Sequence, residues 1–379
     1  MTEVKKIAVI GAGLMGAGIA YVAALKGFKV ALNDIKEEFV QKGMQRIRDD
    51  VMGGIDRGKM KPADGMNLIK AITGNTDLKE CVQDADLVIE AVFEDMEVKK
   101  EIFQKIDQFA PPQAILATNT STLSITEIAS ATSRPEKFLG MHFFSPVPAM
   151  TLVEIVVGEA TSDESLDIAK QVSIALGKEI VVSKDGPGFI VNRLLIPIMS
   201  EIMRIYEDKL APMDVIDKAA VMEGFFPVGP FTLLDFVGID VAYHACETLH
   251  KGFGEDYAPS PLLKKAFEMG HLGSKVGKGI QDLSEAFEPK ISDEEIMNRV
   301  TAVMINEAAK CVHEENIASI PDVDTGMKLG TNFSLGPFEL ADKVGTPKII
   351  ETLKSLQAEY GDFYAPSELL MQQGDTKFY

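Results

Sequence analysis

Ile7-Ala8-Val9-Ile10-Gly11-Ala12-Gly13-Leu14-Met15-Gly16 decides the fold. Four apolar residues run straight into three spaced glycines, which reads as a short buried strand ending in a tight turn. A helical stretch follows to Lys26, then a second strand, Phe28 to Leu32, ending at Asn33-Asp34. A bare G-x-G-x-x-G is weak evidence, and a ligand-free glycine turn is the plain alternative. Here the flanks are right, and Asp34 lies 18 residues past Gly16, near the expected offset of about 20. Gly11 permits the turn, Gly13 lets a pyrophosphate approach the backbone, and Gly16 lets helix and strand pack closely. The helix start supplies amide donors for phosphate. An acid at position 34 suits adenosine ribose hydroxyls and repels a 2′-phosphate, so the cofactor expected is NAD rather than NADP.

Working outward, Glu37 to about Arg57 is a long amphipathic helix mixing apolar residues with Arg46, Arg48 and Arg57. Apolar strand patterns return at Asp86 to Val92 and at Ala114 to Thr118. Glu94 follows the first, and Lys99 falls in the first turn of the next helix. Asn119-Thr120-Ser121-Thr122 follows the second, past the carboxyl end of a strand, where doubly wound sheets hold ligands. Ser124 reads as a helix N-cap with Glu127 closing a capping box.

Met141-His142-Phe143-Phe144-Ser145-Pro146-Val147-Pro148 then leads into Thr151-Leu152-Val153-Glu154-Ile155-Val156. A carboxylate inside a strand-like apolar run is costly to bury alone. Against an imidazole it is cheaper, and it makes the imidazole a better base. His142 and Glu154 therefore read as a base and its orienter. The residues alone leave open a core histidine and a solvated edge-strand glutamate.

Asp163 to Leu176 is helical and Glu179 to Val182 a strand. Gly186-Pro187-Gly188 then marks a domain boundary, beyond which strand patterns vanish. The remainder contains an internal repeat. Asn192-Arg193, Glu201, Gly229-Pro230-Phe231, Asp235, Gly238 and Tyr257-Ala258-Pro259-Ser260 recur as Asn298-Arg299, Glu307, Gly336-Pro337-Phe338, Asp342, Gly345 and Tyr364-Ala365-Pro366-Ser367. The offset is 106 residues early and 107 later. The expected architecture is an α/β Rossmann-type domain over 1–185, then an all-α region of two tandem repeats, 186–290 and 291–379.

The 379 residues carry a net charge of −19, which argues against non-specific nucleic-acid binding. An anionic ligand must be held by local basic groups or backbone amides. No apolar run approaches the roughly 20 residues of a membrane helix. Cys81, Cys246 and Cys311 fit no zinc or redox spacing, and no metal site is expected. They read as buried thiols in a reducing compartment. The first strand begins too early for a signal peptide, so the expected location is cytoplasmic.

Taken together, the fingerprint, Glu90-Ala91-Val92-Phe93-Glu94, Asn119-Thr120-Ser121-Thr122, the His142 stretch with Glu154, Pro187 to Arg193, and Gly273 to Gly279 resemble the 3-hydroxyacyl-CoA dehydrogenase family along the whole chain. The resemblance implies NAD-dependent oxidation of an (S)-3-hydroxyacyl-CoA to a 3-oxoacyl-CoA. It implies His142 as general base, Glu154 as its orienter, Ser121 on the substrate hydroxyl and Asn192 positioning the substrate. Gly11, Gly13, Gly16, Asp34, Glu94 and Lys99 fall at cofactor positions. Ser145 stands where the family often has Asn. Asp50 stands at a position that contacts CoA as Ser in some relatives, and Arg57 keeps a basic group there for CoA. Single-repeat relatives dimerise through their helical domains, so the second repeat is expected to take the partner's place, favouring a monomer. A dehydrogenase of a free hydroxy acid and an NAD-binding structural protein remain as alternatives. β-Oxidation, butyrate metabolism and aromatic degradation are all open as pathways.

Overall fold

Among the described residues, eight strands form one sheet in the order β3-β2-β1-β4-β5-β6-β7-β8. They are β1 (Lys6–Ile10), β2 (Lys29–Asn33), β3 (Ile72–Asn75), β4 (Leu87–Glu90), β5 (Ile115–Thr118), β6 (Phe138–Phe143), β7 (Leu152–Val157) and β8 (Glu179–Lys184). The computed structural model describes residues 4–222, 224–314 and 317–379. It divides into two compact units, Met1–Asp185 and Gly186–Tyr379.

The strands from β3 to β6 are parallel to their neighbours. Strands β4 and β5 are buried along their length, because helices cover both faces of such a sheet and leave no polar side. The connection reverses between β1 and β4, which opens a crevice at the carboxyl ends of those strands. β7 then runs antiparallel to β6, and β8 runs parallel to β7. That reversal has no signature in the apolar pattern.

The elements sit close to their sequence expectations, with local differences. β2 begins at Lys29 and takes in Asn33. Ser124 caps its helix by accepting from the Glu127 amide at 3.2 Å. The expected capping box does not close: the Glu127 carboxylate bonds to Lys100 at 2.7 Å, a charged partner that the backbone amide does not match.

The second unit is helical among the described residues, with one isolated bridge between Gly273 and Lys278. Two long helices lie at its centre, Val191–Glu207 and Asp293–Ala309. Their buried charges exchange partners. Arg193 pairs with Glu307, and Arg299 pairs with Glu201 at 2.6 Å. Tyr257 donates to Glu307 at 2.7 Å, and Tyr364 donates to Glu201. Asp217 accepts from the Phe231 and Thr232 amides, and Asp324 accepts from the Phe338 and Glu339 amides. Each acid thereby satisfies the exposed donors of a helix start that begins with Pro230 or Pro337.

Burial by itself would raise the Glu307 carboxyl, but the Arg193 and Lys310 charges, with hydrogen bonds from Arg193 and Tyr257, hold it below the usual carboxylate range. Glu307→Ala strands a buried guanidinium and should lower the stability measured by urea unfolding by about 3–5 kcal/mol at neutral pH. The contribution is complete above the ordinary carboxylate value of about 4.3 and is lost as pH falls through the depressed native value. The gap between parent and Glu307→Ala should therefore close in acid, and a gap that stays constant below about pH 4 contradicts this account.

Candidate active site

The glycine cradle at the end of β1 has the three distinct geometries its spacing called for. Gly11 has φ +105°, and a Cβ there would lie 2.4 Å from the Ala91 carbonyl oxygen. A Cβ on Gly16 would lie 1.8 Å from the Gly11 carbonyl oxygen. Gly13 faces nothing within 4 Å, which leaves open space at the start of the helix Leu14–Leu25. A pyrophosphate needs that clearance and the amides beside it. Asp34, just past β2, accepts from the Ala12 amide at 2.8 Å and from the Ile35 amide at 2.8 Å. Asp34 is thus braced on the glycine turn itself. These residues fit a dinucleotide.

The ends of β4 and β5 add a buried polar knot. Glu90 is 0% exposed; its carboxylate takes the Thr118 hydroxyl at 2.6 Å, the Val92 amide at 2.6 Å and the Lys99 ammonium at 2.7 Å. The pairing register sets Glu90 opposite Thr118, which places the hydroxyl within reach. Lys99 is itself buried, and its ammonium is also 3.3 Å from the Glu94 carboxylate. Glu94 is exposed and accepts from the Thr120 hydroxyl at 2.6 Å and the Ser121 amide at 2.8 Å. The loop holding Ser121 is therefore gripped by Glu94, and Lys99 stands behind that carboxylate in the interior.

His142 and Glu154 are direct partners in the antiparallel pairing of β6 with β7. Partners of that kind project to one face of the sheet with Cβ atoms roughly 5 Å apart. The His142 Nδ1 meets a Glu154 carboxylate oxygen at 2.6 Å, and both side chains are buried. Nδ1–H donates to the carboxylate, so Nε2 is the basic nitrogen. Phe144, just past the end of β6, sets its ring centroid 4.5 Å from that of the imidazole, with the two rings tilted by 50°. Asn119, 8% exposed, accepts from the Phe143 amide at 2.8 Å and ties the end of β5 to the histidine strand.

The first unit thus brings together Gly11, Gly13, Gly16 and Asp34 as one group, Glu94, Lys99 and Ser121 as a second, and His142 with Glu154 as a third. Asn192 belongs to the other unit, where it is the second residue of the helix Val191–Glu207. Arg57 follows the helix Glu37–Asp56, exposed, with its guanidinium over Gly53. Sequence reasoning missed Glu90, Thr118 and Asn119 as site-building residues. Glu90 carried a readable signal, an acid closing the apolar run Leu87-Val88-Ile89, the same signal that singled out Glu154.

A family model for the 3-hydroxyacyl-CoA dehydrogenase NAD-binding domain matches residues 6–186, and one for the 3-hydroxyacyl-CoA dehydrogenase C-terminal domain matches residues 188–283 and 296–378. A probable 3-hydroxybutyryl-CoA dehydrogenase of Bacillus subtilis is 40% identical over 75% of this chain and 99% of its own. The fatty acid oxidation complex subunit alpha of Shewanella loihica is 36% identical over 99% of this chain, which spans only 56% of that protein. The crystal structure of a 3-hydroxybutyryl-CoA dehydrogenase from Escherichia coli K12 superposes with a TM-score of 0.89, at 31% identity, over 98% of each chain.

The bracing of Asp34 on the cradle predicts selectivity among nicotinamide cofactors. NADH should serve far better than NADPH, and Asp34→Ala should narrow that ratio by roughly tenfold or more by removing a like-charge clash with the 2′-phosphate. Kinetics with both cofactors check it; a parent protein indifferent to the choice contradicts the assignment.

Proposed function

The chain belongs to the 3-hydroxyacyl-CoA dehydrogenase family, and from that premise we propose how its residues divide the chemistry. The protein is an NAD-dependent dehydrogenase that oxidises a 3-hydroxyacyl-CoA to the 3-oxoacyl-CoA, reversibly. We take the (S) enantiomer as its substrate. Bound NAD supplies the hydride acceptor. Gly11, Gly13 and Gly16 shape the pyrophosphate cradle, Asp34 takes the adenosine ribose, and Glu94 with Lys99 lines the cofactor side. His142 removes the hydroxyl proton through Nε2. A secondary alcohol is a very weak acid, so the base must be positioned and its cation stabilised as it forms. The Glu154 carboxylate does both, with no reorganisation of solvent, because it is already buried against Nδ1. Ser121 holds the substrate hydroxyl, and Asn192 positions the substrate. Arg57 is the basic group assigned to CoA, where the overall charge of −19 offers no help.

The observation that carries this reading is the 2.6 Å contact of His142 with Glu154 in the same unit as the glycine cradle. Acetoacetyl-CoA should be reduced with loss of NADH absorbance. Turnover of free 3-hydroxybutyrate with none of the thioester would overturn it. Glu154→Gln should fold and bind NADH yet lose turnover by roughly 10²–10⁴-fold, since an amide does not stabilise an imidazolium.

We further infer that the second unit holds two copies of one helical module. Support comes from the recurrent residues, the two matched ranges and the exchange of partners between Arg193–Glu307 and Arg299–Glu201. The copies differ in their exposed surface. Val221, Phe236 and Val241 are exposed in copy one, and the equivalent positions in copy two are Lys328, Lys343 and Lys348. Copy two accordingly has the more solvated surface and a structural role, in the place of a dimer partner. Asn298→Ala should leave turnover unchanged, whereas Asn192→Ala should lower it, and sedimentation should find a monomer. A tight dimer through the face between the copies contradicts that assembly.

No helix among the described residues is long and apolar enough to cross a membrane. Burial pushes the Cys81 and Cys246 thiols up to about 12, which keeps them protonated and unreactive. We place the protein in a reducing, cytoplasmic compartment on those thiols.

A further inference from the structure

The segment joining β6 to β7 follows directly on His142 and is poor in donors of its own. Pro146 and Pro148 lack an N–H. The Ala149 and Met150 amides both turn back to the Pro146 carbonyl, at 2.9 and 3.0 Å. The Val147 and Met150 carbonyls are met instead by one side chain from outside the segment. Lys178 lies immediately before β8, and its Nζ is 2.5 Å from each of those oxygens.

Lys178 is 8% exposed. Lys99, the other buried lysine of this unit, rests against Glu90. Among the described residues no carboxylate pairs with Lys178. The charge that faces it is another cation, Lys26, from the end of the helix Leu14–Leu25, whose ammonium lies over Gly177. The segment from Phe144 to Thr151 brings no titratable group, the Ser173 carbonyl of the preceding helix accepts from the Lys178 backbone amide rather than from its ammonium, and Glu179 is exposed. A buried cation with no counter-charge is unfavourable. Its retention calls for something the carbonyl contacts accomplish.

Those contacts reach both halves of the chemistry. On one side the segment begins at Phe144, whose ring lies tilted against the His142 imidazole, and ends at β7, which carries Glu154. On the other side Val147 presses on Gly18, where a Cβ would come within 2.9 Å of the Val147 Cβ. Gly18 lies on the helix that opens at the dinucleotide cradle. We propose that Lys178 is a positioning residue for the His142–Glu154 pair: it clamps the β6–β7 connection by two carbonyls and holds it against the dinucleotide helix. The inference rests on the dehydrogenase reading above.

Burial, with the Lys26 charge, brings the ammonium down to about 8. Below that value the clamp is made of charge-assisted bonds; above it a neutral amine donates more weakly. The test is kcat and KM in the oxidation direction, with NAD and (S)-3-hydroxybutyryl-CoA, from about pH 6.5 to about pH 9.5. In that direction His142 accepts the hydroxyl proton as the base. The parent should show a falling limb of kcat near pH 8, where Lys178 loses its proton. Lys178→Gln keeps two N–H donors without the charge; it should lose that limb, with kcat at neutral pH lower by about tenfold and KM little changed. Lys178→Met, with no donor, should fall further, by about a hundredfold. NADH fluorescence titration establishes that each variant is folded, and if Lys178→Met is not, Lys178→Gln carries the test. A limb with the same midpoint in Lys178→Gln overturns the proposal. So does a loss of thermal stability alone with the kcat profile intact. Failure of the dehydrogenase reading is distinct, because the parent would then show no turnover.

Discussion

A carboxylate with no solvent contact, Glu154, sits in the middle of a strand that is paired on both sides. Leaving it unpaired there would cost several kcal/mol or more. The antiparallel register of β6 against β7 is what avoids that cost, because it sets His142 directly opposite. A slip of one residue would send the imidazole to the other face of the sheet. Register, dyad geometry and the viability of the buried acid are therefore one constraint. The residues that fix the register inherit its importance: Asn119, which anchors the Phe143 amide, and the connection whose carbonyls meet Lys178.

The first unit partners its buried charges in three ways. Glu154 takes an imidazole, a partner able to gain and lose a proton. Glu90 takes the side-chain nitrogen of Lys99, with a hydroxyl and an amide filling its remaining acceptor positions. Lys178 takes neutral carbonyls only. Only the first arrangement suits proton transfer. The second is saturated, and an acid saturated by an ammonium is a scaffold. Here it stiffens the ends of β4 and β5, beside the loop that presents Ser121.

Much of this was legible in the sequence, for reasons that differ by element. The glycine spacing specified a turn, an open position and a close approach, and those are backbone properties that hardly depend on context. Glu154 was legible because an acid in an apolar strand needs an explanation. Glu90 offered the same anomaly and went unread, since it closes its run and looks like a loop residue. The direction of β7 was not legible, because alternation of apolar residues is the same in parallel and antiparallel strands. Lys178, in Gly177-Lys178-Glu179, has the local appearance of a solvated turn. Only tertiary packing tells that its stem is covered.

The second unit shows a different relation between sequence and structure. The recurrence of Arg193, Glu201 and Tyr257 as Arg299, Glu307 and Tyr364 reads as a record of ancestry. The structure shows that these recurring residues are the ones that meet, each arginine finding the acid of the other segment and each tyrosine joining it. Reciprocity of this kind is the property of an isologous interface, in which residue i touches j and j touches i. Within one chain, a pair of buried arginines could as easily have been matched by acids on their own helices. Matching across segments means that neither segment can bury its charges without the other. On the reading that the segments are copies of one module, neutralisation of two buried guanidinium groups holds them in mutual register. A change to either acid is then felt on both sides of the contact.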